Sequence, residues 1–197
     1  MLSMSVEEFI KRLGSTESTP SGGSTTGVIS ALGASLALMA SNVSVVSKKS
    51  LVTDDNKPYV EGLISKLETS VERFKFFAMQ DAIVFDNYMK AVDKDDKKDK
   101  MMDCLTVPLS CARECLKCID VMVELSPYIT KSIVSDMMLG FIMIRACFES
   151  CIINVKINEK WINDPEVTET VDMFISNNIN RVNSVVEEQV KILGGRM

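Results

Sequence analysis

The sequence predicts an all-α fold: an antiparallel helical bundle packed around a central, buried helix of small residues. Three observations carry this. Apolar residues recur at helical spacing through several long segments, while alternating strand patterns and internal repeats are missing. No charged residue occurs between Glu17 and Lys48, so a helix there has no face suited to water. Thirteen methionines suit an adaptable helical core. At 197 residues the chain is expected to form a single domain over 1–197, with a substantial core.

Ser3 or Ser5 can cap a first helix running to about Leu13, with Val6, Phe9, Ile10 and Leu13 facing inward. Gly14 to Thr19 reads as a polar loop. Pro20-Ser21-Gly22-Gly23-Ser24 then opens the buried helix, from about Gly23 to Ser47. Ser21 or Ser24 can cap its first turn. Gly23, Gly27, Ala31 and Ser35 recur at four-residue steps and predict a smooth strip where another backbone approaches. A glycine turn feeding a helix N-terminus leaves amide N–H groups free, an arrangement suited to anions. Lys48-Lys49 closes the helix with the favoured charge sign.

Thr53 to Pro58 predicts a turn. A long amphipathic helix follows from about Lys57 to Val92, with Leu63, Leu67, Val71, Phe74, Phe77, Ala78, Ala82, Phe85 and Met89 inward. Asp81 lies beside that seam. Asp93 to Lys100 is a charge run, either a solvated linker or an exposed first turn. Met101 to about Leu125 is helical, with a kink or restart expected at Pro108. Ser126-Pro127 ends it. A nearly uncharged helix runs from Tyr128 or Ser132 to Lys160. The last helix runs from about Asp164-Pro165 to Leu193, stopped by Gly194-Gly195.

Composition narrows the chemistry. The net charge is −5 and no basic patch is visible, which argues against a nucleic-acid partner. Histidine is absent, so proton transfer falls to Asp, Glu, Lys, Cys, Tyr or water. The six cysteines sit in helical patterns. Cys115 and Cys118 form a C-x-x-C, but Cys111 shares their face, and core packing explains them more simply than a metal. No metal site is expected. The N-terminus carries no signal-peptide pattern, so a cytoplasmic, reducing setting is expected. The apolar run from 20 to 47 is long enough to span a bilayer. Its Ser, Thr and Gly content and the missing aromatic belt favour a buried core helix, with no membrane partner.

The informative residues are those that break apolar runs. Asn42 lies near the end of the core helix, Asp136 follows Ser135 at the start of a hydrophobic helix, and Asn154 and Asn158 are one turn apart. Burying such a group unpartnered costs about 1–3 kcal/mol or more, so each should have a partner. Either they bridge helices, or they line a polar cleft.

Taken in order, these pieces resemble the cyclodeaminase domain of the formiminotransferase-cyclodeaminase family and the related stand-alone folate cyclohydrolases. The matching pieces are Pro20-Ser21-Gly22-Gly23-Ser24, Ala40-Ser41-Asn42-Val43-Ser44, Lys48-Lys49, Asp81-Ala82-Ile83-Val84-Phe85, Val107-Pro108, Ser135-Asp136 and Asn154-Val155-Lys156-Ile157-Asn158. Ser21 stands where the family usually has glycine. The resemblance implies an all-helical homodimer acting on a one-carbon tetrahydrofolate as substrate, with no tightly bound cofactor. The activity is either 5-formiminotetrahydrofolate cyclodeaminase or methenyltetrahydrofolate cyclohydrolase; a non-catalytic helical interaction protein is the third reading. It implies Asp81 and Asp136 as proton-transfer or pterin-holding groups. Gly22, Gly23 and Ser24 would bind an anionic or carbonyl part of the folate. Asn42, Ser135, Asn154 and Asn158 would orient the substrate, and Lys48 or Lys49 would attract its glutamate tail.

Overall fold

The computed structural model describes residues 1–197, the side chain of Lys94 excepted. Six α-helices follow one another: α1 (Val6–Leu13), α2 (Gly22–Val46), α3 (Lys57–Lys90), α4 (Lys94–Leu125), α5 (Val134–Ile162) and α6 (Pro165–Gly194). Short 3-10 turns at Ser126–Tyr128 and Lys131–Ile133 join α4 to α5. Helices α2 to α5 close a ring in which each packs on the next, and α5 returns to α2; α6 lies against α5.

Successive helices run antiparallel. Gly23 and Gly27 of α2 face Asp81 and Ala78 of α3. Ser70 of α3 meets Glu114 of α4, and Cys104 of α4 meets Asn158 of α5. Gly33 of α2 meets Gly140 of α5. The core between them is filled by Leu67, Phe74, Met122, Phe141, Ile144 and Phe148, all fully buried. All six cysteines are free and buried, as their helical spacing predicts.

Local signals set most boundaries. Ser5 caps α1 by accepting from the Glu8 amide at 3.1 Å. Asp93 caps α4 through the Asp96 amide at 2.8 Å, so the charge run from Asp93 to Lys100 is an exposed first turn, not a linker. Pro108 lies inside α4, which continues through it without a restart. Asn163 ends α5 in the left-handed region (φ 51°), which asparagine tolerates. Pro165 occupies the first turn of α6, where a missing N–H costs nothing.

Burial departs from expectation in three places. No residue of α1 is buried; Val6 is 76% and Ile10 63% exposed, because this short helix lies along the outer face of α2. Phe85 and Met89 of α3 are exposed, because α3 continues past Asp81, where α2 has already ended at Gly22. Helix α2 is not enclosed all round. Ile29, Leu32, Met39, Val43 and Val46 form an exposed stripe on the side facing away from α3 and α5. By length and composition Gly22–Val46 and Lys131–Ile162 could each cross a membrane; in the fold they pack on each other as core helices.

Candidate active site

One end of the ring gathers chemistry. Asp81 projects from α3 onto the first turn of α2. Its Oδ2 accepts hydrogen bonds from Ser21 Oγ at 2.7 Å and Ser24 Oγ at 2.8 Å. Neither serine caps α2 in the expected way; both hydroxyls are spent on this carboxylate. The helix N-terminus, with its free amides and positive dipole end, thus receives an anion from its own chain. Among the described residues Oδ1 makes no hydrogen bond within the chain.

Gly23 makes this approach possible. A Cβ there would lie 1.9 Å from Asp81 Oδ1 and 2.5 Å from its Cγ. One turn on, a Cβ on Gly27 would lie 2.6 Å from the Ala78 amide nitrogen. The small-residue strip therefore has two functions: Gly27 admits the α3 backbone and Gly23 admits its carboxylate.

The carboxylate opens into a cavity of about 180 Å³ that it lines with Ser21, Gly22, Gly23, Cys104, Asn154 and Asn158, beside Val84 and Phe85. Asn158 Nδ2 donates to the Cys104 carbonyl at 2.7 Å, tying α5 to α4 and holding the carboxamide at the wall. Asn154 also lines a constriction just below, with Phe77, Pro108, Cys111 and Cys151. Burial, and then the nearby Asp81 charge, push the Cys104 thiol up to about 11, so it stays protonated at neutral pH.

The structure thus brings together Asp81, Gly22, Gly23, Ser24, Asn154 and Asn158. It does not bring the others to them within one protomer. Asn42, Lys48 and Lys49 stand at the opposite end of α2. Gly22 and Val46 are separated by about 36 Å of helix at 1.5 Å per residue. Ser135 and Asp136 begin α5, about 27 Å along the helix from Asn154. Asn42, Lys48, Lys49 and Ser135 are exposed, and Asp136 is half-buried with a weak 3.3 Å bond from Ser135 Oγ.

Sequence reasoning missed two groups. Ser21, met as a departure from glycine, is a ligand of Asp81. Glu114 is buried between α3 and α4, accepting from Ser70 Oγ at 2.9 Å and paired with Arg73 Nε at 2.8 Å. Its signal was present: a carboxylate beside Cys115 and between Cys111 and Cys118, all of them buried.

A methenyltetrahydrofolate cyclohydrolase of Methylorubrum extorquens is 25% identical over 171 residues, covering 81% of each chain. The crystal structure of formiminotetrahydrofolate cyclodeaminase from Thermotoga maritima superposes with a TM-score of 0.82, covering 99% of this chain and 96% of that one at 22% identity. The profile of the formiminotransferase-cyclodeaminase family matches residues 5–176, and the chain belongs to that family.

Proposed function

We propose that the protein is a folate-dependent one-carbon enzyme, a formimidoyltetrahydrofolate cyclodeaminase. The observation that carries the reading is Asp81: a carboxylate in the wall of a polar cavity, fixed through Oδ2 by two serine hydroxyls, whose Oδ1 accepts no hydrogen bond among the described residues. In the reaction N10 of 5-formiminotetrahydrofolate attacks the formimino carbon and gives a tetrahedral centre between N5 and N10. Asp81 Oδ1 takes the proton that N10 loses and hands it to the departing nitrogen. Ammonia leaves and 5,10-methenyltetrahydrofolate forms. Asn154 and Asn158 supply carboxamide bonds that hold the pterin edge. A positioned proton-transfer group of this kind is worth about 10²–10⁴-fold in rate. The reading needs no resident cofactor or metal.

A second reading, methenyltetrahydrofolate cyclohydrolase, is favoured by the Methylorubrum relative. There the same carboxylate takes a proton from the water that opens the methenyl bridge. Both substrates assayed side by side by the methenyl absorbance decide between them. Asp81→Asn should slow whichever reaction is found by about 100-fold or more. Wild-type rates in that variant would remove Asp81 from the chemistry.

The protein is proposed to act as a homodimer. The exposed stripe Ile29, Leu32, Met39, Val43 and Val46, bordered by α1 at its Ile29–Leu32 end, follows alternating three- and four-residue spacing, with half-buried Leu36 completing it, the pattern of a helix seam. Antiparallel pairing of two such stripes sets the Val46 end of one α2 beside the Gly22 end of the other. Asn42, Lys48, Lys49 and Asp136 of one copy then approach the Asp81 cavity of the other. Met39→Glu should yield monomers in light scattering; an unchanged mass, or a wild-type protein that is already monomeric, sinks the pairing.

A further inference from the structure

The end of the ring remote from Asp81 holds a second cavity, of about 380 Å³, lined by Ser47, Lys49, Leu51, Thr130, Lys131, Ser132 and Arg196. Three cations face it and neither Asp nor Glu lines it, in a chain whose net charge is −5. Arg196 is fixed in place: Nη1 donates to the Ser126 carbonyl at 2.8 Å and Nη2 to that of Ile129. Both acceptors are neutral, so neither offsets its charge, and further N–H donors remain. Thr130 is buried in the wall. Its amide donates to Ser44 Oγ at 2.9 Å, and its hydroxyl lies 3.5 Å from that of Ser132. Like charges gathered in one cavity repel, and a bound anion reverses the sign of that energy.

We propose that this cavity binds a small, multiply charged oxyanion, a phosphate ester or a di- or tricarboxylate. Arg196 and the two lysines supply the charge, and the Ser47, Thr130 and Ser132 hydroxyls supply neutral donors. Arg196 offers the planar fork that matches a carboxylate or phosphate, while Lys49 and Lys131 adapt to either. Within the protomer the site shares no wall with the Asp81 cavity, and its occupancy is measured without folate. In the proposed dimer Lys49 would stand near the other copy's cavity, so Met39→Glu, which separates the copies, should leave the anion affinity unchanged.

The test is calorimetric titration of the full chain with inorganic phosphate and with citrate at low ionic strength. Wild type should show one saturable site per chain, weakened at least tenfold by Lys49→Ala with Lys131→Ala, and abolished by Lys131→Glu. Circular dichroism checks that these surface variants fold. Asp81→Asn should leave the affinity unchanged, which separates this site from the substrate site. Tighter phosphate identifies the phosphate class, and tighter citrate the carboxylate class. No saturable heat from either probe at about 10 mM overturns the proposal, as does affinity that survives Lys131→Glu or disappears in Asp81→Asn.

Discussion

Gly23→Ala tests the site at its tightest point. The added Cβ would sit 1.9 Å from Asp81 Oδ1 and 2.8 Å from Oδ2, inside any tolerable contact. Asp81 must therefore rotate away and release Ser21 and Ser24. Hydrogen bonds to a charged group contribute about 1.5–3 kcal/mol each, but a half-buried carboxylate recovers much of that from water. Alanine returns up to about 1 kcal/mol of helix propensity. The net loss should be no more than about 2 kcal/mol, or a Tm drop of up to about 8 °C. Turnover should fall by about 100-fold or more, since the proposed proton acceptor has left its position. Gly140→Ala is the control. Its Cβ would meet the Gly33 carbonyl oxygen at 2.9 Å in the α2–α5 contact, about 20 Å along α5 from Asn154. It should lower Tm by a similar amount and keep the rate. The assay is methenyl absorbance for both variants, beside thermal melts. A Gly23→Ala protein that turns over at the wild-type rate refutes the clamp.

Ser24→Ala and Ser21→Gly should separate the two hydroxyls. Ser24 is fully buried, and its removal should cost about 1 kcal/mol and more activity than Ser21→Gly, measured by kcat in each. Equal effects would mean that the clamp has no preferred side. The thiols predict a pH dependence. Burial raises Cys104 and Cys147 from 9.0 to about 11, so the folded state keeps protons that the unfolded chain releases. Their contribution is fully present below pH 9.0 and is lost as pH climbs from about 9 to about 11. Each thiol accounts for at most about 3 kcal/mol of that loss. Tm measured across this window should fall, and Cys147→Ser should shallow the slope.

The fold was legible because its signals are local. Capping residues, prolines in first turns and helical spacing act within a few residues, and they placed the helices to within a few positions, except that α4 begins at Lys94 and not at Met101, inside the charge run. The half of the site that was legible shares that property. Asp81, Gly22-Gly23-Ser24 and Asn154/Asn158 each sit at a helix position that the antiparallel ring carries to one end. The expected convergence of Asn42, Lys48, Lys49, Ser135 and Asp136 failed within the protomer for a reason already in the sequence. A 25-residue helix is about 37 Å long, so motifs at its two ends cannot line one small cavity. Exposure of α1 and of the outer stripe of α2 was not legible, because apolar pattern says that a face seeks cover and not which molecule provides it. Glu114 escaped because its partners Ser70 and Arg73 lie on another helix, and only the tertiary register joins them.

That register sets the precision of the Asp81 end, and Gly27 is where it can be tested. Asp81 is three residues from Ala78 on α3, as Gly23 is four from Gly27 on α2, so one close crossing governs both contacts. The Gly27–Ala78 approach fixes the distance between the helices, and that distance delivers Oδ2 to 2.7 and 2.8 Å from the two serine hydroxyls. A site built on rigid elements is held more closely than one on loops, and it is also more sensitive to a change in their spacing. Gly27→Ala puts a Cβ 2.6 Å from the Ala78 nitrogen and 2.7 Å from its Cα, backbone atoms that no side-chain rotation can move. The helices must separate, at a cost of about 1–3 kcal/mol, or a Tm drop of about 2–12 °C. Separation lengthens the serine bonds without removing them, so kcat should fall by about tenfold, between the Gly140→Ala control and Gly23→Ala. If Tm falls as expected and kcat does not, Asp81 is positioned by its own hydrogen bonds, and the helix crossing serves packing alone.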